Sequence, residues 1–262
     1  MNKLNKIFCA AAIASISTFA SADVIINSGS TGTTGAATEL DIEANATSTL
    51  VGGACAGSLC APTPVSTFTE SGFGDVTGLL PGGFGGVFDS NLNGSWGISF
   101  VYSGVSGDFT SGPAFNNGGA IDMFYSNANG TEQIASLLIS GGSVVPGNSY
   151  MTGTVDYSWL ATATDTGNTD ADAKTFFQND VASYGHYNFY DIWNDNAAED
   201  VTWRFDFTIV NNTNVPYIGD ALSASRSTDL NGQIAFAVTE PSSIALLGLG
   251  LLGFAAARRK SL

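Results

Sequence analysis

Residues 201–210 read VTWRFDFTIV. Trp203, Phe205, Phe207 and Ile209 share one parity, and Thr202, Arg204, Asp206 and Thr208 share the other. Successive strand side chains point to opposite faces, so this alternation predicts a strand with one buried face. The same period recurs upstream. Trp96, Ile98, Phe100 and Tyr102 alternate with Gly97, Ser99 and Ser103, and Met151, Val155, Tyr157 and Trp159 with Thr152, Thr154, Asp156 and Ser158. Ile234, Phe236 and Val238 predict a last strand, and shorter candidates lie at 23–27, 38–44, 65–70, 120–126 and 133–140. Asn93-Gly94, Asn117-Gly118-Gly119, Asn129-Gly130, Pro146-Gly147 and Asn231-Gly232 supply turns between them. A short helix is expected at 172–182, and an ordered loop or edge in the Gly-rich run 71–86. One-sided strands with frequent turns predict an all-β fold. It is expected to be a single antiparallel β-sandwich or jelly-roll domain over 23–238, with no internal repeat.

Charge narrows the partners. Between the two chain ends only Lys174, Arg204 and Arg226 are basic, against 22 acidic residues, a net charge of −19. Such a body repels nucleic acid and anionic headgroups, suits cations and stays soluble outside the cell.

Residues 1–22 read as a signal peptide. Lys3 and Lys6 precede a short apolar run at 7–16, and Ala20-Ser21-Ala22 supplies small residues for signal peptidase. Cleavage is expected before Asp23. The run is too short to span a bilayer. Removal of Cys9 leaves Cys55 and Cys60 in GGACAGSLCAPTP (52–64). Two nearby cysteines in an exported Gly/Pro-rich loop predict a local disulfide. No further Cys or His stands near them to complete a zinc site.

The chain closes on a tail, 239–262, in three parts. Thr239-Glu240-Pro241 comes first, an apolar run at 244–257 follows, and Arg258-Arg259-Lys260 ends it. The run predicts a membrane-spanning helix held by a cytoplasmic basic stop. This layout resembles the PEP-CTERM sorting domain, with Thr239 standing where that family has its first proline. The resemblance implies a transient inner-membrane tether, processing by an exosortase-type enzyme, and release to the cell surface or matrix. The body is also loosely similar to flocculation-associated surface proteins sorted in this way. The resembling stretches are STFTESGFGDVTGL (66–79), WGISFVYSGVSGDFTSG (96–112), AIDMFYSNANG (120–130) and IASLLISGG (134–142). That similarity implies a part in cell aggregation or biofilm matrix, and no site residues.

Catalytic signatures are sparse. The sequence has no G-x-S-x-G, no H-E-x-x-H, no Walker loop and one histidine, His186. No catalytic residue, no enzymatic activity and no obligatory cofactor are expected. Calcium is the one candidate ion, because oxygen-rich loops bind it outside cells. Asp165, Asp170 and Asp172 would supply one loop, and Asp191 and Asp195 another; solvated acidic turns are the alternative. Tyr187, Tyr190 and Trp193 form a candidate glycan platform, with strand core as the alternative. Three functions are carried forward. The leading one is a structural or adhesive matrix protein. The others are a module that binds the cell's own exopolysaccharide, and a secreted glycan-active enzyme with paired carboxylates.

Overall fold

The computed structural model describes residues 20–21, 24–26, 37–80, 92–110, 114–145, 148–164, 169, 171–179, 187–188, 190–191, 194, 203–211 and 215–238. Eight long strands carry the architecture: β1 (Glu39–Val51), β2 (Thr67–Leu80), β3 (Trp96–Asp108), β4 (Ala120–Asn127), β5 (Gly130–Val145), β6 (Asn148–Val155), β7 (Trp203–Asn211) and β8 (Ala224–Val238). Each pairs antiparallel with the next in the chain. β8 also pairs antiparallel with β1, from Ala224↔Leu50 to Ala235↔Glu39. The ladder therefore closes on itself as an up-and-down barrel, which leaves these strands no open edge.

The expectation of an antiparallel all-β single domain holds. The two packed layers are opposite walls of one closed sheet: Phe100 of β3 and Phe207 of β7 meet across the interior at 5.8 Å, edge to face. Inward positions follow the strand period. β1 buries Leu40, Ile42, Ala44, Ala46, Ser48 and Leu50, while Glu43, Asn45 and Thr47 between them are exposed.

Closure places large rings beside bare backbone. Gly72 pairs with Tyr102, Gly74 with Phe100, Gly107 with Phe68 and Gly153 with Phe205. In each pair the ring lies over the glycine; a Cβ on Gly72 or Gly74 would sit 2.6 Å from Tyr102 or Phe100. The aromatic covers backbone the glycine leaves open, and the glycine leaves the ring its volume. The run 71–86 was expected as loop or edge: through Leu80 the chain is β2, paired with β1 along its length and with β3 as far as Asp75.

Two further expectations are corrected. Alternation through Tyr157 and Trp159 predicted strand, but β6 stops at Val155 and α1 (Tyr157–Thr162) begins. Asp156 caps it, its carboxylate accepting from Ser158 N and Trp159 N at 3.0 and 3.1 Å. The helix expected at 172–182 shrinks to one turn, α2 (Ala173–Phe176), followed by a strand at Phe177–Asn179. That strand pairs with Val24–Ile26, which buries Phe177 and Ile26.

The barrel's two ends differ. At one end, called here the terminal end, Ala20–Ser21 pairs with the last residues of β8. Tyr125, Phe176, Phe177 and Phe236 close that end in a chain of rings 5.0–5.5 Å apart. At the other end the hairpin of Ala54–Ala56 and Leu59–Ala61 joins Tyr217–Gly219, which pairs with the start of β8. These three short strands form a lid over the barrel mouth.

Packing of ring over glycine predicts a clear contrast. Gly74→Ala should cost about 1–3 kcal/mol, since backbone and Phe100 both block the new methyl. Gly97→Ala, whose Cβ meets only Asn93 Oδ1 at 3.4 Å, should cost under about 0.5 kcal/mol. Urea unfolding of both variants checks the pair.

Candidate functional site

Beneath the lid a row of polar side chains crosses the barrel wall. Glu70 of β2 pairs with Ser48 of β1, and Ser48 pairs with Arg226 of β8. All three have inward parity, continuing the positions of Phe68, Leu50 and Ala224. Tyr102 of β3 donates its hydroxyl to Glu70 Oε1 at 3.2 Å. Lid residue Tyr217 shares a hydrogen bond of 2.9 Å with Ser48 Oγ, and its ring lies 4.6 Å from the Arg226 guanidinium carbon.

Burial dominates the electrostatics. Glu70 is 8 % exposed. Loss of water raises its pKa above the ordinary carboxylate value, against the opposing pull of Arg226 and the Tyr102 hydrogen bond. Tyr102 is pushed up as well, first by burial and then by the neighbouring carboxylate. Arg226 Nε is buried without a hydrogen-bond partner. The arrangement does mechanical work: Tyr217 clamps the lid to β1 through Ser48 and to β8 through Arg226. Sequence reading passed over this row. Its signal was Glu70 on the same parity as Phe68, a carboxylate on the apolar face of a strand.

The lid is tied at several further points. Cys55 and Cys60 form a disulfide across its hairpin, as expected from their spacing. Gly219 N donates to Ser58 O at 2.9 Å, and Gly52 N to Ala221 O at 3.0 Å. Ser66 Oγ and Thr63 Oγ1 both donate to Gly52 O, at 2.8 and 3.0 Å.

Three of the other sequence candidates, Asp172, Tyr190 and Asp191, are described. Asp172 caps α2 through Lys174 N at 2.9 Å. Asp191 accepts from Asn188 Nδ2 at 2.7 Å. Asp165, Asp170 and Asp195 lie outside the described residues. Among the described residues no three His, Cys, Asp or Glu side chains group to hold a metal. Tyr190 is half-buried against the core, with Lys174 Nζ 5.0 Å from its ring centroid. Trp193 and the side chain of Tyr187 lie outside the described residues, as do Ala22, Asp23 and the whole tail from Thr239 to Lys260. No described helix is long and apolar enough to cross a membrane.

Residues 237–260 match the family model of the PEP-CTERM protein-sorting motif. The match begins inside β8, at Ala237 and Val238, which pair with Arg204 and Trp203 of β7. It supports export to the cell surface or extracellular space and handling by an exosortase-type enzyme. No curated protein and no solved structure matches the chain.

Glu70 makes stability depend on pH in a defined direction. Its folded pKa lies above the unfolded value of 4.5, so the folded state holds this proton more tightly. Its contribution therefore falls as pH rises from about 4.5 through the folded pKa. Glu70→Gln should remove that fall. The difference in unfolding free energy between native protein and variant should then shift by up to about 1.4 kcal/mol per pH unit within that window. Urea unfolding at a series of pH values measures it, and a difference that is flat with pH would contradict the assignment.

Proposed function

We propose that this chain is a non-enzymatic structural or adhesive protein of the cell surface or extracellular matrix, delivered by its C-terminal sorting tail. The observation that carries the reading is the position of the sorting motif. It starts within the last strand of a closed barrel, at Ala237 and Val238. Residues 239–243 separate β8 from the apolar run, a reach of at most about 17 Å. A body tethered there stands close to the membrane on its terminal end. Cutting within that spacer frees it without removing any of the β8 pairing to β1, which ends at Ala235.

Composition supports the rest. Buried apolar side chains line the described interior, and its buried polar row holds the lid. The acidic wall suits a soluble extracellular body. Signal peptidase would act before Asp23, and the sorting enzyme near Thr239-Glu240-Pro241. The reading requires no cofactor, and it implies contact with exopolysaccharide or other matrix components.

Intact mass of the protein from the extracellular fraction tests delivery. A chain that starts at Asp23 and ends within 239–243 is expected. Glu240→Ala should leave the unprocessed chain in the membrane fraction. A released protein that still carries 244–262 would sink the sorting mechanism. Deletion of the gene should reduce cell aggregation and matrix cohesion; unchanged cohesion would remove the adhesive role.

A further inference from the structure

The lid has two faces of opposite character. Tyr217 and Cys60 point inward and are buried, while their neighbours Ile218 and Leu59 point outward, 60 % and 54 % exposed. Ile218 and Leu59 are direct cross-strand partners. Leu222, Val65 and Val51 extend this surface at 82 %, 80 % and 47 % exposure. The bond from Gly52 N to Ala221 O draws Val51 and the Leu222 turn together. Most of the exposed large apolar side chains among the described residues thus gather at one end of the barrel.

Charge is sparse in the same place. Residues 50–66 contain no charged side chain, and 215–225 contain only Asp220. The wall carries exposed Glu43, Asp75, Asp206 and Asp229, and the body as a whole is strongly acidic. Two such bodies repel through their walls. An end-to-end approach keeps those walls farthest apart, and the lid is the end that does not carry the sorting motif. A basic partner would seek the wall, and for a sugar polymer the lid exposes few polar side chains, Ser58, Asp220 and Ser223, among Ala54, Ala56, Leu59, Ile218 and Leu222.

The lid also offers a backbone edge. Ala54–Ala56 ends its sheet path, bonded to Leu59–Ala61 on one side only. An open antiparallel edge can pair with the same edge of another copy about a two-fold axis.

We propose that the outer face of the lid is a docking site for a second copy of this chain, giving an end-to-end dimer. Val238, the last described residue before the tail, ends β8 at the opposite end of the barrel. A tethered copy therefore presents its lid away from the membrane, toward a copy on a facing surface. The cohesive role of this contact rests on the adhesive reading above; the contact itself does not.

Sedimentation velocity on the mature protein from the extracellular fraction tests the contact. The native protein should show a reversible, concentration-dependent dimer. Raising salt from about 0.15 M to about 1 M should strengthen it by screening the acidic walls. Ile218→Asp with Leu59→Asp should weaken it at least tenfold. Leu222→Asp, at a position too exposed to disturb folding, should weaken it in the same direction. Phe73→Asp on the wall should leave it unchanged. A native protein that stays monomeric throughout, or one that Phe73→Asp disrupts as fully as the lid variants, overturns the proposal. The two readings fail separately. A dimer whose gene can be deleted without loss of cohesion removes the adhesive role and keeps the contact. A monomer whose deletion abolishes cohesion removes the contact and keeps the role.

Discussion

The pairing of β1 with β8 is the constraint on which the rest of the structure depends. It joins residues 39–50 to 224–235, nearly the full length of the body apart. Without it the eight strands would be an open meander with two long edges, both bearing unpaired backbone groups. With it, every inward position faces an interior bounded on all sides. Phe100 and Phe207 meet across that interior. The glycines of β2, β3 and β6 then have a reason to be glycine, because the rings beside them have nowhere else to go. Contacts so distant in sequence are costly to close, and the folding rate should reflect that.

Closure also gives the molecule a direction. The lid lies at one end; the ends of the described chain, with the close of β6 and the start of β7, lie at the other. The terminal end is sealed by packed aromatics, and the sorting motif begins there. The lid end is held by a polar clamp of Tyr217 on Ser48 and Arg226, a disulfide and a few backbone bonds. The acidic wall between them keeps copies apart sideways. A body with one tethered end, a repulsive wall and an apolar tip of low charge is suited to contacts made at its tip.

Much of this was legible in the sequence, and the failures have physical causes. The strand period at Trp96–Tyr102 and around Phe205 and Phe207 was strong, because those faces are fully buried on one side. The sorting tail was legible as a three-part pattern, and the disulfide as two cysteines in an exported loop. Closure was not legible, because inward-outward alternation is the same in a sandwich and in a filled barrel. Gly72 and Gly74 read as loop or edge because their partners, Tyr102 and Phe100, lie about thirty residues away, beyond any local pattern. Tyr157 and Trp159 kept the strand parity, yet Asp156 offered the backbone a helix cap and the chain turned. Among the candidate ion and glycan residues, Asp172 is engaged as a cap and Asp191 by Asn188, while Tyr190 packs half-buried against the core. The row from Glu70 to Arg226 needed a register that only three paired strands could reveal.

The most direct test of this account is nuclear Overhauser spectroscopy on the folded protein, aimed at the closing pair of strands. Asn45 faces Asp229, and Glu43 faces Asn231. A closed barrel gives cross-strand contacts between their backbone protons, with slow amide exchange along β1 on both of its sides. If those contacts are missing and the β1 amides on the β8 side exchange freely, the sheet is open. The barrel would then have to be given up, and with it the opposed ends and the lid as a tip.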